Sequence, residues 1–216
     1  MAFLCVAAVI VAYLLGSINF AVIFAKAFLK KDVRNLGSGN AGTTNVMRTA
    51  GFLPGALTFI CDALKGFAAC FIGKNVFDYV FTSTGSEWSL PVYGAYLCGV
   101  ACMLGHVFPV FFQFRGGKGV ATSVGIYAVC CPIAIISGLA VFALMVVISK
   151  IVSLSSLLAT VTVVTLSIVF FGDGAGLAVS AALSIAMGVI VFLKHSENIK
   201  RLIKGEEKKI KIRRSK

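Results

Sequence analysis

Apolar residues gather into six long runs, at about 2–29, 52–73, 91–112, 120–149, 155–171 and 175–193. Several contain stretches of the roughly 20 uncharged residues a membrane-spanning helix needs, so the pattern predicts a polytopic helical membrane protein. Polar and basic residues concentrate between the runs. The sharpest interruption is GSGNAGTTNVMR, Gly37 to Arg48, with three glycines, one serine, two asparagines, two threonines and a terminal arginine. No lipid-facing segment could carry that composition. It predicts a structured polar loop.

The run at 120–149 is too long for one comfortable crossing and too short for two full helices. Charge decides how it is read. A single crossing would put the basic loop at 30–50 and the basic tail on opposite sides of the membrane, against the positive-inside rule. A turn near Cys131-Pro132, with a short first helix, puts both on one side with Arg115, Lys118 and Lys150. The expectation is therefore an all-α chain of seven transmembrane helices, N-terminus outside and C-terminus cytoplasmic. The outer connections would then hold Lys74, Asp78, Glu87 and Asp173, the longest of them a surface connection at about 74–90. No repeat or second domain is visible, so residues 1–216 read as one domain.

Composition agrees with this picture: 59% of the 216 residues are hydrophobic and 13% charged, and the mean hydropathy is +0.98. The net charge of +12 would suggest nucleic acid in a soluble protein. Here ten of the twenty Lys and Arg lie from Lys194 onward, where anionic headgroups are the simpler partner and nucleic acid is not expected. The seven cysteines lie nearly all inside apolar runs without ligand-like spacing and read as small apolar fillers, so neither a disulfide framework nor a metal site is expected. The N-terminus lacks a basic n-region and a small-residue cleavage site, and reads as a retained first span.

Chemistry-capable residues cluster in the inner connections. In the first loop, backbone N–H groups free of large side chains can form an anion-binding concavity, and Arg48 can clamp what they hold. A flexible linker would have no need of Asn40, Thr43, Thr44, Asn45 and Arg48. The second piece is GHVFPVFFQFRGGKGVAT, Gly105 to Thr122. Gly116, Gly117 and Gly119 surround Lys118 just before a helix, which again suits an anion. It is not a Walker A loop, because Gly119 follows Lys118. Taken alone it also fits a tight helix connection with Lys118 as a boundary anchor; two such loops on one face suggest two phosphates or a bridging one.

The third piece, KHSENIKRLIKGEEKKI from Lys194 to Ile210, places His195 and Asn198 three residues apart on one helical face. An amphipathic basic tail explains the later lysines but explains these two less well. Asp62 and Lys65, also three apart, are expected to pair and support the loop at the inner end of the second run. Gly16, Ser17 and Asn19 are the polar exceptions in the first run. His106 is read as a packing residue rather than a catalyst.

In this order and with these spacings, the three regions resemble the signature regions of the PlsY family, bacterial acyl-phosphate-dependent glycerol-3-phosphate acyltransferases. GSIN at Gly16 to Asn19, DALKG at Asp62 to Gly66 and VSL at Val152 to Leu154 add to the likeness, which covers essentially the whole chain. Lys194 departs from the family's common Arg before the histidine but keeps the charge. The resemblance implies a seven-span protein of the bacterial inner membrane with its site on the cytoplasmic side. It would transfer an acyl chain from acyl phosphate to the 1-hydroxyl of sn-glycerol 3-phosphate, giving lysophosphatidic acid and inorganic phosphate. This is the first acylation of phospholipid biosynthesis. An upstream acyl-phosphate-forming enzyme and membrane lipid are the implied partners, and no cofactor is needed.

Carried over by position, Ser38, Arg48, Lys118, His195 and Asn198 form the active site. Arg48 and Lys118 would hold the glycerol phosphate, and Gly37, Asn40, Gly42, Thr44, Asn45, Gly116 and Gly117 would line phosphate pockets. Ser17, Asn19, Asp62, Lys65 and His106 would support them. The acyl chain would lie between helices. The base is either His195 or a substrate phosphate oxygen, with the absence of an obvious orienting carboxylate favouring the substrate. Acyltransferases with His-x-x-x-x-Asp are excluded, since Phe111 and Lys200 stand where the aspartate should. Metal-dependent phosphotransfer lacks carboxylates. A transporter of a phosphorylated anion is the alternative, and would need polar groups near the bilayer midplane.

Overall fold

The computed structural model describes residues 2–84, 91–170 and 175–210, and every regular element among them is helical. In chain order these are α1 Ala2–Gly16, α2 Phe20–Leu29, α3 Thr43–Ala50, α4 Phe52–Thr84, α5 Pro91–Val107, α6 Val120–Cys130, α7 Pro132–Ser149, α8 Val152–Val169, α9 Ala175–Lys194 and α10 Ser196–Ile203. Short 3-10 turns lie at Val33–Asn35 and Val110–Phe112. Helices are what a chain in lipid must form, because they satisfy their own backbone polar groups. Six segments among the described residues are long and apolar enough to cross a membrane, and α6, with 11 residues, is apolar but short. Large apolar side chains such as Phe3, Ile136 and Val147 are well exposed on the outer surface, as lipid contact requires.

The long helix α4 is the hub. It packs against α5, α6, α1 and α3, while α7 and α8 pair at the periphery. Close backbone approach makes those crossings: Gly73 and Gly94 face each other between α4 and α5, each lying against the other's carbonyl oxygen. Between α4 and α6, Gly125 lies against the Ala63 carbonyl and Gly66 against that of Thr122. Lipid tails are as apolar as leucine, so helices here gain by fitting closely rather than by escaping water.

The turn expected near Cys131-Pro132 is present. Cys131 leaves helical geometry at φ −155° and ψ 82°, and Pro132 opens α7, where a proline costs no hydrogen bond. Two other expectations need correction. The first run is broken, since α1 ends at Gly16 and α2 begins at Phe20. Asn19 caps α2 by accepting from the Val22 N–H at 3.2 Å, and Ser17 Oγ donates to the Tyr13 carbonyl at 2.9 Å. The carbonyl of Ile18 at the break accepts Lys65 Nζ at 2.7 Å. The connection expected from residue 74 is helix as far as Thr84, because Phe77 and Val80, three apart, are buried on one face. Glu87 and Asp173 lie outside the described residues.

A leucine at position 125 would drive a side chain into the α4 backbone. Gly125→Leu is expected to destabilise the detergent-solubilised protein by about 2 kcal/mol or more, the scale of forced overpacking. Ile136→Ala, on the lipid-facing surface, should change stability by less than about 0.5 kcal/mol. Thermal unfolding of both variants beside the unsubstituted protein checks this.

Candidate active site

The first loop is shaped by one side chain. Asn45, buried in the first turn of α3, donates through Nδ2 to the carbonyls of Val33, Leu36 and Asn40 at 3.1, 2.9 and 3.0 Å. Its Oδ1 accepts from the Ser38 N–H at 3.0 Å. Both ends of the amide are thus spent inside the loop, so Asn45 builds the pocket wall and is not free to hold a phosphate. Gly37 and Gly39 adopt left-handed backbone at φ 62° and 72°, leaving Ser38 exposed between them. A Cβ at Gly37 would strike Asn45 Oδ1, so this position needs glycine twice over. Gly42 precedes α3, with half-buried Asn40 beside it. Thr43 and Thr44 open the helix with N–H groups that have no preceding turn to bond. Arg48 is exposed in its last turn.

The second loop differs from expectation. The N–H groups of Gly116 and Gly117 donate to the carbonyls of Val107 and His106 at 3.2 and 3.1 Å. They are therefore committed to the end of α5 and unavailable to an anion. A Cβ at Gly117 would run into the His106 ring and the Ala41 carbonyl, which shows how closely the two loops are pressed together. Behind them, His106 Nδ1 lies 3.5 Å from Asp62 Oδ1, and Lys65 Nζ pairs with that same oxygen at 2.8 Å. The expected Asp62–Lys65 pair is present, fully buried. Through His106 it backs the second loop, and through Lys65 it holds the α1–α2 break. Ser17 also supports this region, its Oγ accepting from the Val110 N–H at 3.4 Å.

The third segment completes a cluster. Lys118 Nζ donates to Asn198 Oδ1. Asn198 Nδ2 then donates to Glu207 Oε1 at 2.7 Å, Ser153 Oγ to the same oxygen at 2.9 Å, and Arg201 Nε to Glu207 Oε2 at 2.7 Å. Glu207 thus fixes which way the Asn198 amide points. Glu207 and Ser153 lie within the Lys194–Ile210 and VSL segments, where the sequence alone assigns them no role. The available signal was a carboxylate set among lysines in a chain with only eight acids. His195 is buried, and its Nδ1 lies 2.8 Å from the Val191 carbonyl. A carbonyl only accepts, so Nδ1 carries the proton and Nε2 presents a lone pair.

Contacts bring all three segments to one end of the bundle. Arg34, whose guanidinium is clamped to Asp32 through Nε to both carboxylate oxygens and Nη2 to Oδ2, reaches the Phe112 carbonyl with Nη1 at 2.8 Å. Lys118 meets Asn198, and the Ile210 N–H donates to the Lys150 carbonyl at 2.8 Å. Between the first two loops lies a polar basin of about 480 Å³, whose walls include Arg34, Gly39, Arg115, Gly116 and Lys194. Of the residues expected at the site, only Gly116 borders it. Lys118, His195 and Asn198 do not line it, although its wall residues Gly116 and Lys194 are close to Lys118 and His195 in the chain.

Electrostatics separate the roles. Burial pulls the Lys118 ammonium down to about 8; Glu207 opposes this, while Arg201, Lys194 and Arg48 add to it. Burial, aided by the Lys118 charge, lowers His195 to about 4 against the Val191 hydrogen bond and Glu207. His195 is thus neutral at physiological pH. Burial pushes the Glu207 carboxyl up, but hydrogen bonds from Arg201, Asn198 and Ser153 outweigh it and leave the group below its ordinary value.

A family model described as glycerol-3-phosphate acyltransferase matches residues 6–205. The chain belongs to that family. A Bacillus anthracis relative, glycerol-3-phosphate acyltransferase 2, is 40% identical over 201 residues, covering 93% of this chain and 96% of its own. A glycerol-3-phosphate acyltransferase from Thermoanaerobacter sp. (strain X514) is also 40% identical over 201 residues and 93% of each chain. Crystal structures of PlsY, an integral membrane glycerol 3-phosphate acyltransferase, superpose with TM-scores of 0.82 for its glycerol 3-phosphate form and 0.80 for its lysophosphatidic acid form. They are 35% and 34% identical and each covers 96% of this chain, with 96% and 95% of the PlsY chain covered in turn. The protein is a multi-pass membrane acyltransferase of the PlsY family, and its glycerol-3-phosphate chemistry belongs to phospholipid synthesis.

Glu207 holds Asn198, Ser153 and Arg201 together. Glu207→Ala leaves three donors without their acceptor and is expected to cost about 2 kcal/mol or more of stability. The folded carboxyl titrates below its ordinary value, so its stabilisation is full above the unfolded pKa and fades as pH falls through the folded one. Melting temperature against pH, for the unsubstituted protein and Glu207→Ala, should show an acid loss in the first that is weaker in the second. Independently, the imidazole resonances of His195 should titrate with a midpoint about 4 and show the Nδ1–H tautomer above it.

Proposed function

We propose that this chain transfers the acyl group of an acyl phosphate to the 1-hydroxyl of sn-glycerol 3-phosphate at the cytoplasmic face of the bacterial inner membrane. The observation that carries the reading is the convergence of Lys118, Asn198 and His195, with the Arg48-bearing loop beside them, at the end of the bundle where the basic connections meet. By the positive-inside rule that end is cytoplasmic. With α6 counted as a short crossing, the chain is one domain of seven spans with its N-terminus outside.

An acyl phosphate is a mixed anhydride and needs neither a covalent enzyme intermediate nor a metal to be reactive. The protein has to align hydroxyl with carbonyl and stabilise charge on the carbonyl oxygen and the departing phosphate. Arg48 and Lys118 hold the glycerol phosphate, whose oxygen replaces Asn198 Oδ1 as acceptor for the ammonium. Ser38 and the opening N–H groups of α3 face the anhydride phosphate. The bond formed joins the 1-oxygen to the acyl carbon, and the bond broken joins that carbon to the phosphate oxygen. A carboxylate orienting His195 is replaced by the Val191 carbonyl, and at a pKa of about 4 the ring is a weak base. A phosphate oxygen, with a second pKa of about 6, is the better proton acceptor. His195 Nε2 is left to accept a hydrogen bond from a glycerol hydroxyl and orient it.

The test is turnover of palmitoyl phosphate with glycerol 3-phosphate, following phosphate and lysophosphatidic acid together, with palmitoyl-CoA run in parallel. Equimolar products from acyl phosphate alone are expected, and Lys118→Ala should lower kcat/KM by about a hundredfold or more. Because the ammonium is lost as pH rises through about 8, KM for glycerol 3-phosphate should climb above that value. Lys118→Arg, charged throughout, should flatten the climb. Turnover of the thioester alone would sink the donor assignment. Accumulation of glycerol 3-phosphate in proteoliposomes without turnover would make the protein a transporter.

A further inference from the structure

Residues 205–210 form a strap from the end of α10 to the turn between α7 and α8. Gly205 opens it in left-handed backbone at φ 71°, and the Glu206 N–H donates to the Arg201 carbonyl at 2.8 Å. At its far end the Ile210 N–H donates to the Lys150 carbonyl at 2.8 Å. Between these ties lies Glu207, whose carboxylate accepts from Asn198 and Ser153. Lys150 joins two helices that are each long and apolar enough to cross a membrane. The strap is therefore anchored where hydrocarbon gives way to headgroups.

Its charge is lopsided. Lys204, Lys208 and Lys209 are exposed and bracket Glu207 in the chain. Glu207 is matched by Arg201 at 2.7 Å, which leaves Glu206 as the one other acid among these three lysines. Like charges crowded into so few residues repel one another and oppose the closed strap. Next to Lys204 stands Ile203, 82% exposed at the end of α10. An apolar side chain beside a row of cations is the composition of a segment lying in a lipid interface.

We infer that anionic lipid headgroups bind Lys204, Lys208 and Lys209, hold the strap closed over the bundle end, and so activate the enzyme. Headgroup phosphates neutralise the repulsion among the lysines, and each cation near an anionic surface adds to the attraction. A closed strap keeps Glu207 on Asn198, and Asn198 keeps its oxygen toward Lys118. An acidic soluble protein would match the same charge, but it would leave Ile203 and the anchoring at Lys150 without a purpose. The activity expected here rests on the acyl-phosphate reading above; the closure of the strap does not.

The experiment places the protein in nanodiscs of phosphatidylcholine alone or with about one-third phosphatidylglycerol. Hydrogen exchange of residues 205–210 is followed beside kcat for palmitoyl phosphate at saturating glycerol 3-phosphate. Saturation matters because an anionic surface repels that substrate and raises its KM whatever the strap does. Phosphatidylglycerol should slow exchange at Glu206 and Ile210 about fivefold or more and raise kcat by a similar factor, and about 0.5 M salt should reverse both. The combined variant Lys204→Gln, Lys208→Gln, Lys209→Gln should behave as the unsubstituted protein does in phosphatidylcholine and respond more weakly to phosphatidylglycerol. Exchange that is the same in both lipids, or a full response in the variant, overturns the inference. Slowed exchange without any turnover of acyl phosphate would support the lipid-held strap while overturning the donor assignment.

Discussion

The structure of the site depends on one carboxylate that gathers three donors. Glu207 binds Asn198, Ser153 and Arg201, and so ties the C-terminal segment, α8 and α10 into one unit. Asn198 is then held with its oxygen toward Lys118, and Lys118 marks the end of the second loop. A charge this little exposed, 7% for its side chain, is tolerable only because each oxygen is bonded. Remove it and the amide is free to turn, presenting an N–H to an ammonium instead of an acceptor.

A second polar knot performs the same service deeper in the bundle. Asp62 lies between Lys65 and His106, while Lys65 also reaches the Ile18 carbonyl at the helix break. In lipid that carbonyl would have no water to bond, so the break and the buried lysine explain one another. Because His106 abuts Gly117, the knot also sets the floor beneath the second loop. The second loop is thus held by the end of α5, and the first by Asn45 at the start of α3.

Much of this was legible in the sequence. The turn at Cys131-Pro132 followed from charge parity, and the Asp62–Lys65 pair from three-residue spacing. The helix break was not, because Ile18 and Phe20 keep the run apolar on either side of Ser17 and Asn19. Nor was the extension of α4 to Thr84: Lys74, Asn75 and Asp78 read as a polar connection, and only the packed structure shows Phe77 and Val80 buried along the same helix. Glycine content marked the second loop as an anion cradle, yet whether an N–H is free is a matter of three-dimensional partners, and those of Gly116 and Gly117 are taken. Asn45 was found but its role was not, since a polar side chain in a loop can as well build the loop as serve its guest.

The hydrogen bond between Lys118 and Asn198 has a consequence for affinity. A bare ammonium in a half-buried site would attract any small anion in the cell, chloride included. Here Asn198 Oδ1 already accepts from the ammonium, so any anion at Lys118 would compete with an amide oxygen. Affinity becomes the difference between two bonds, and a doubly charged phosphate oxygen wins that exchange by a wider margin than a singly charged ion. The cost of displacing Asn198 is the same for every anion, so the bond would weaken all of them alike and leave discrimination to charge and geometry.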